Sequence, residues 1–288
     1  MKPGLSLMAG LDTILQRPGR ILLASDFDGT LCPLIDRPSE AQLIPSVRKA
    51  VEKVLACHRV TFAVITGRAL TDIERRFPAG AIFAGNHGLE IAGGGLHYEH
   101  DSARSLRPAI AEACEALEGA SAAWPAAWVE DKGLTATLHF RKVKTAYRET
   151  LLFAARRTLG AFGPKIAMRA GRDALEIRPR VAWDKGAALE YIYGEAGPFD
   201  ACVCLGDDRT DESMFRAPSC DVSVRVGASS VTAAAFCVSE PADVAPLFSH
   251  LVSACGAEPQ SMKQGFGTRP HSPAIGGSLT ADHAGPGQ

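Results

Sequence analysis

The chain has no Cys-x-x-Cys pair, no long apolar run and almost no net charge, and each absence removes a class of function. Its eight cysteines stand apart at positions 32, 57, 114, 202, 204, 220, 237 and 255. That scatter suits reduced thiols better than a disulfide framework or a zinc site. No apolar stretch reaches the roughly 20 residues that a membrane span requires. Residues 1–19 carry Asp12 and Pro18 and lack a continuous apolar core, so they do not read as a secretory signal. A formal charge of -1 over 288 residues provides no field to gather nucleic acid or an anionic membrane. The expectation is a cytoplasmic monomer that acts on a small molecule. With 46% hydrophobic residues it can bury one large core or two modest ones.

What is present begins at residues 21–25, an apolar run that reads as a strand buried on both faces, as in parallel sheets. It ends in Asp26-Phe27-Asp28-Gly29-Thr30. Ligands of open α/β sheets sit at the carboxyl ends of strands. Two acids there suit a hard cation or a carboxylate nucleophile; they equally suit a turn or a helix cap. A helix follows, with Ser46 as N-cap and Val47, Ala50, Val51, Val54 and Leu55 on one face. A second buried strand over 60–65 makes a βαβ unit and runs into Thr66-Gly67-Arg68 at the start of another helix. Backbone N–H groups at such a junction, with the Thr66 hydroxyl, can hold phosphate oxygens. A third strand over 81–84 leads to Gly85-Asn86-His87-Gly88, and a hairpin follows around Gly93-Gly94-Gly95.

From about residue 103 the pattern changes. Leu106, Ile110, Cys114 and Leu117 make a helical stripe, and strands over 128–130 and 134–140 are joined by Asp131-Lys132-Gly133. In the second, Leu134, Ala136, Leu138 and Phe140 alternate with Thr135, Thr137, His139 and Arg141, which predicts a half-exposed antiparallel sheet. A helix with Tyr147, Leu151, Ala154, Ala155 and Leu159 inward and two short strands complete the segment. The core pattern returns at Trp183-Asp184-Lys185-Gly186, a helix start. The strand over 201–205 then ends in Gly206-Asp207-Asp208-Arg209-Thr210-Asp211-Glu212. Strands over 222–226 and 236–238 are expected at the sheet edge, and a helix over 244–252 closes the domain. Acids on one strand edge would repel unless a cation sat among them, and Mg²⁺ needs few carboxylates when phosphate completes its shell. Lys185 is either a surface lysine or the second cation that a phosphate approaching a carboxylate requires.

The ordered set Asp26-Phe27-Asp28-Gly29-Thr30, Thr66-Gly67-Arg68, Lys185 and Gly206-Asp207-Asp208 resembles the haloacid dehalogenase-like (HAD) phosphohydrolases. Further motifs carry the resemblance to the trehalose-6-phosphate phosphatases among them, over roughly 20–252. These are Gly85-Asn86-His87-Gly88-Leu89-Glu90, Glu130-Asp131-Lys132, His139-Phe140-Arg141, Glu176-Ile177-Arg178-Pro179 and Trp183-Asp184-Lys185-Gly186. The resemblance implies an α/β fold: a Rossmann-like parallel-sheet core at 20–102 and 180–254 with an α+β cap inserted at 103–179. Residues 1–19 would be a leader and 255–288 a disordered tail. It implies that Asp26 attacks phosphorus, and that Asp28 protonates the leaving oxygen, then activates water, with its backbone carbonyl on Mg²⁺. Asp207 would complete the ligands, with Asp208 and Asp211 in the metal's outer shell or orienting Lys185. Thr66, Gly67, Arg68 and Lys185 would hold the phosphate, and Asn86, His87, Glu130, Lys132, Arg141 and Glu176 the sugar. Phosphatases of sucrose phosphate or mannosyl-phosphoglycerate, a phosphosugar mutase and a non-catalytic sugar-phosphate sensor are the competing readings.

Overall fold

The computed structural model describes residues 6–171, 173–229 and 231–256. Helix α1 (Leu7–Leu15) is N-capped by Ser6, whose hydroxyl accepts from the Ala9 N–H at 3.2 Å. Strand β1 (Ile21–Ser25) is buried throughout. Ile21 and Leu23 enter the apolar cluster on one face, Leu22 and Ala24 the cluster on the other. Alternating side chains that are all apolar require cover on both faces, and each buried leucine is stabilised by about 1.5–3 kcal/mol.

Helix α2 (Pro45–Leu55) turns Val47, Ala50, Val51 and Val54 inward. It begins before the expected Ser46 cap: Pro45 takes the first helical position and Ile44 the cap position. Proline's fixed φ and missing N–H suit that first turn. Strand β2 (Val60–Ile65), helix α3 (Leu70–Arg76) and strand β3 (Ile82–Gly85) continue the alternation. Strands β4 (Glu90–Gly93) and β5 (Leu96–Glu99) form the expected hairpin. Helices α4 (Asp101–Ser105) and α5 (Arg107–Ser121) lead into strands β6 (Trp128–Asp131) and β7 (Ala136–His139). Helix α6 (Thr145–Leu159) and strands β8 (Ile166–Ala170) and β9 (Ala174–Pro179) follow. The chain then returns through helix α7 (Lys185–Glu195), strand β10 (Ala201–Gly206) and helix α8 (Glu212–Phe215). Strands β11 (Val222–Val226) and β12 (Phe236–Val238) and helix α9 (Val244–Gly256) end the described fold.

The main sheet runs β12-β11-β10-β1-β2-β3-β4-β5, parallel from β12 to β3. Ser25 at the end of β1 lies opposite Val64 on one side and Leu205 on the other. This register brings the segments that begin with Asp26, Thr66 and Asp207 to one edge. β11 is an interior strand and not an edge strand as expected, because β12 pairs outside it.

The smaller sheet runs β6-β7-β9-β8 and is antiparallel. Ala136, Leu138, Leu175 and Ile177 pack against Ile110 and Leu117 of α5 and Leu151 and Ala155 of α6. Its other, polar face is the one expected to be exposed, yet Thr135 and Thr137 are buried. That face is turned to the carboxyl edge of the main sheet, where Thr135 donates to Asn86. Tyr147, expected on the inner side of α6, is exposed. The expected leader also differs, since α1 buries Leu11 and Ile14 in the cluster that holds Val244 and Leu247 of α9. Cys255 and Gly256 of the expected tail belong to α9, and 257–288 lie outside the described residues. Among the described residues no helix is long and apolar enough to cross a membrane.

Candidate active site

The strand edge gathers Asp26, Asp207 and Asp211, each offering one oxygen within 4.8 Å of the others. Lys185 is buried among them, its Nζ 2.8 Å from Asp26 Oδ1 and 2.7 Å from Asp211 Oδ1. The lysine is placed by α7, whose start is capped by Asp184 accepting from the Ala187 N–H at 3.0 Å. Asp211 acts as a bracket: its Oδ2 accepts the N–H groups of Asp207 and Asp208, both at 2.9 Å. Thr30 donates to Asp207 Oδ1 at 3.2 Å. Gly29 has φ +79°, and a Cβ there would lie 2.1 Å from Asp207 Oδ2, so glycine alone fits. A Cβ on Gly206 would meet the Asp211 side chain at 2.3 Å.

Three carboxylates surround one ammonium. Burial pushes the Asp26 carboxyl well above the usual carboxylate range, and Asp211 and Asp207 add to the rise while Lys185 opposes it. Burial, then Asp211, pushes Asp207 up to about 7. For Lys185, burial would lower the pKa, but Asp211 and Asp26 overcome it and raise it. A buried acidic cluster this short of positive charge, with oxygen donors only, fits a hard divalent cation.

The side chains of Asp28 and Asp208 lie outside this cluster, which the expected backbone-carbonyl role of Asp28 and outer-shell role of Asp208 allow. The Asp28 carboxylate faces Arg68, with Nε 2.6 Å from Oδ2 and an Nη 2.6 Å from Oδ1. Arg68 also binds Asp72 at 2.7 Å and the Pro38 carbonyl at 2.9 Å. Expected on the phosphate, its guanidinium is instead committed to these carboxylates. Asp208 lines the cleft outside the acidic cluster. Thr66 and Gly67 lie at the mouth beside Asp26, with the Gly67 carbonyl accepting from Lys132 Nζ at 3.1 Å.

A cleft of about 1230 Å³ joins this edge to the polar face of the smaller sheet, which contributes Glu130, Lys132, Thr137, His139 and Glu176. Burial would raise the Glu130 carboxyl, but the His139 hydrogen bond at 2.8 Å and the Lys132 charge hold it below its usual range. Burial would likewise raise Glu176, yet His87, bonded to it through Nε2, brings it down to about 2. Burial lowers His87 to about 4, so the ring is neutral near pH 7. With Nε2–H facing a carboxylate, Nδ1 is left buried without a partner.

Asn86 is not on the cleft. It is fully buried, donating to Glu90 Oε1 at 2.7 Å and the Lys132 carbonyl at 3.0 Å, and accepting from Thr135 Oγ1 at 2.6 Å. Expected to touch sugar, it instead fastens the smaller sheet to the strand edge. Asn86 and His87 both have positive φ (49° and 61°), which lets their N–H groups reach the Arg68 and Thr66 carbonyls at 2.7 Å. Arg141 lines the cleft but its charge is engaged by Asp36 at 2.8 Å and Asp173 at 3.3 Å.

Sequence reasoning gave no role to Thr30, Asp72, Asp36 or Thr135. Thr30 stood inside the first motif, and Asp72 stands at i,i+4 from both Arg68 and Arg76, a readable helix-pair spacing. Nothing local marks Asp36 or Thr135, whose partners are 105 and 49 residues away.

A sequence profile of the trehalose-phosphatases matches residues 24–242. The chain is 32% identical over 212 residues, 68% of its length, to a probable trehalose-phosphate phosphatase E of Arabidopsis thaliana, of which it covers 59%. It is 35% identical over 200 residues, 67% of its length, to an uncharacterised glycosyl hydrolase of Mycobacterium tuberculosis. The chain spans 15% of the length of that mycobacterial relative and 60% of a probable trehalose-phosphate phosphatase H of Arabidopsis thaliana. Its fold is similar to that of the C-terminal domain of Candida albicans trehalose-6-phosphate phosphatase, with a TM-score of 0.72 and 21% identity. That match covers 88% of this chain and 98% of the other. A mainly parallel central sheet, an acidic strand edge and the matching profile agree, and the chain belongs to the trehalose-phosphatase family.

Proposed function

We propose that the protein hydrolyses trehalose 6-phosphate to trehalose and phosphate, with Asp26 as nucleophile and Mg²⁺ as cofactor. The observation that carries this reading is the buried Asp26–Lys185 pair at 2.8 Å, beside Asp207, in a cleft whose opposite wall is a polar sheet face. A carboxylate oxygen of Asp26 attacks phosphorus, the bond from phosphorus to the sugar oxygen breaks, and an aspartyl-phosphate remains. Asp28 leaves the Arg68 fork, takes up a proton from solvent and delivers it to the departing sugar oxygen. The same carboxylate then takes a proton from the water that attacks the acyl phosphate and regenerates Asp26. Lys185 balances the charge of the approaching phosphate and holds Asp26 in place, while Thr66 and Gly67 bound the phosphate end. Asp26 and Asp207, with the Asp28 backbone carbonyl, would hold the Mg²⁺, which when bound neutralises phosphate oxygens. Glu130, Lys132 and Glu176 offer the acceptors and donors that a hydroxyl-rich disaccharide requires.

The test is phosphate release from trehalose 6-phosphate, sucrose 6-phosphate and glucose 6-phosphate, each with Mg²⁺ and with a chelator. Metal-dependent turnover of the trehalose ester alone supports the whole reading. Turnover of another ester keeps the chemistry and overturns the specificity. No release from any of them, with folded protein and Mg²⁺ present, replaces the enzyme by a sugar-phosphate binding protein.

A further inference from the structure

Trp128 is exposed where the other tryptophans are not. The residue is 48% exposed at the cleft wall, whereas Trp183 is stacked on Tyr98 and donates to the Gly88 carbonyl. One face of the Trp128 indole lies against the His139 ring, with centroids 4.0 Å apart and planes 15° from parallel. The two are cross-strand partners in the β6–β7 register, so the stack is built into the sheet. His139 is in turn held by Glu130 at 2.8 Å. An exposed aromatic ring braced in this way loses little rotamer freedom when a ligand covers its open face.

Position says which part of a ligand reaches it. Lys132 Nζ touches the Gly67 carbonyl at the phosphate end of the cleft and lies 3.9 Å from Glu130 Oε2. Glu130 shares a sheet face with Trp128, two residues or roughly 7 Å farther along the strand. Gly67, Lys132, Glu130 and Trp128 therefore lead away from the phosphate end in that order. A pyranose is amphipathic: its hydroxyls radiate from the ring edge and its C–H groups leave an apolar face. Such a ring suits an aromatic surface flanked by a carboxylate.

We infer that Trp128, backed by His139, is a stacking platform for the sugar ring of the substrate that does not carry the phosphate. The inference rests on the sugar-phosphatase reading above and adds a specificity-determining residue to it. Trp128→Ala raises KM for trehalose 6-phosphate about fivefold to tenfold and leaves kcat within about twofold. Trp128→Phe keeps most of the affinity. With p-nitrophenyl phosphate, which lacks the second ring, KM is unchanged in both variants. Phosphate-free trehalose alters the tryptophan fluorescence of the unaltered protein but not that of Trp128→Phe. If the unaltered protein hydrolyses trehalose 6-phosphate and Trp128→Ala has the same KM, or loses equally on both esters, the platform alone is overturned. If the unaltered protein releases no phosphate from trehalose 6-phosphate, the reading beneath it fails and the platform falls with it.

Discussion

His87 is the residue through which acid should loosen this fold. Its ring bridges the loop after β3 and Glu176 of β9, with Nε2 on the carboxylate and Nδ1 buried without a partner. Burial lowers its pKa from 6.5 to about 4, an effect that Glu176 opposes and that Arg178 and Lys185 reinforce. An unfolded chain takes up the proton near pH 6.5, whereas the folded chain resists until about pH 4. Between those values the unfolded state binds more protons, so stability falls as pH falls from 6.5 towards 4. At about 1.4 kcal/mol per pH unit the loss is at most roughly 3 kcal/mol, and about 2 kcal/mol of it comes between pH 7 and pH 5. Urea unfolding at pH 7, 6 and 5 measures it against His87→Asn, which tolerates the positive φ and cannot titrate. The variant should start less stable, having lost the bond to Glu176, and should fall by about 2 kcal/mol less over the same range. Glu176 loses its His87 partner in the variant, so its carboxyl rises there and flattens the variant's curve further; the remaining titrating groups are common to both proteins and cancel. Parallel stability curves for the two would refute the assignment of a neutral, buried His87.

Two further predictions concern the join between the sheets. Asn86→Ala strands the Thr135 hydroxyl, removes one of two donors from the Lys132 carbonyl, which keeps the Leu134 N–H, and puts a Cβ-only residue at positive φ; it should cost about 2–5 kcal/mol in urea unfolding, and a loss below 1 kcal/mol would show that water or rearrangement replaces it. Glu130→Ala and Glu176→Ala should reduce turnover of trehalose 6-phosphate at least about tenfold more than that of p-nitrophenyl phosphate, by the cost of losing charged hydrogen bonds to sugar. Equal losses on both substrates would remove these carboxylates from the specificity role.

The strand edge was legible because two rules act without long-range knowledge. An all-apolar run predicts a strand covered on both faces, and parallel strands share one carboxyl edge, so Asp26, Thr66 and Asp207 could be placed together from residue order alone. Lys185 was legible as the start of a helix just before a core strand, and the structure adds that Asp184 caps that helix. What failed was partner choice. Arg68 stood in a motif beside the phosphate site, yet its guanidinium meets Asp28, 40 residues earlier. A buried guanidinium must find carboxylates, and which ones depends on the return path of the loop through Pro38.

The errors over Asn86, Thr135 and Thr137 have one physical origin, and it bears on where the cleft comes from. Alternation along β7 and the residue before it correctly separates Leu138 and Ala136 from Thr137 and Thr135, because period 2 is a property of extended chain itself. Whether the polar side meets water or protein is a property of whatever lies opposite, and there the main sheet's edge lies opposite. Threonine and asparagine can be fully buried at this join because each satisfies the other: Thr135 donates to Asn86, and Asn86 donates to the Lys132 carbonyl. A polar sheet face that had been solvated would need no such pairing. Its groups would instead be free to exchange partners, which is what Glu130 and Trp128 farther along the same face remain placed to do. The dry end of that face holds the two sheets together, and the open end is left for a ligand.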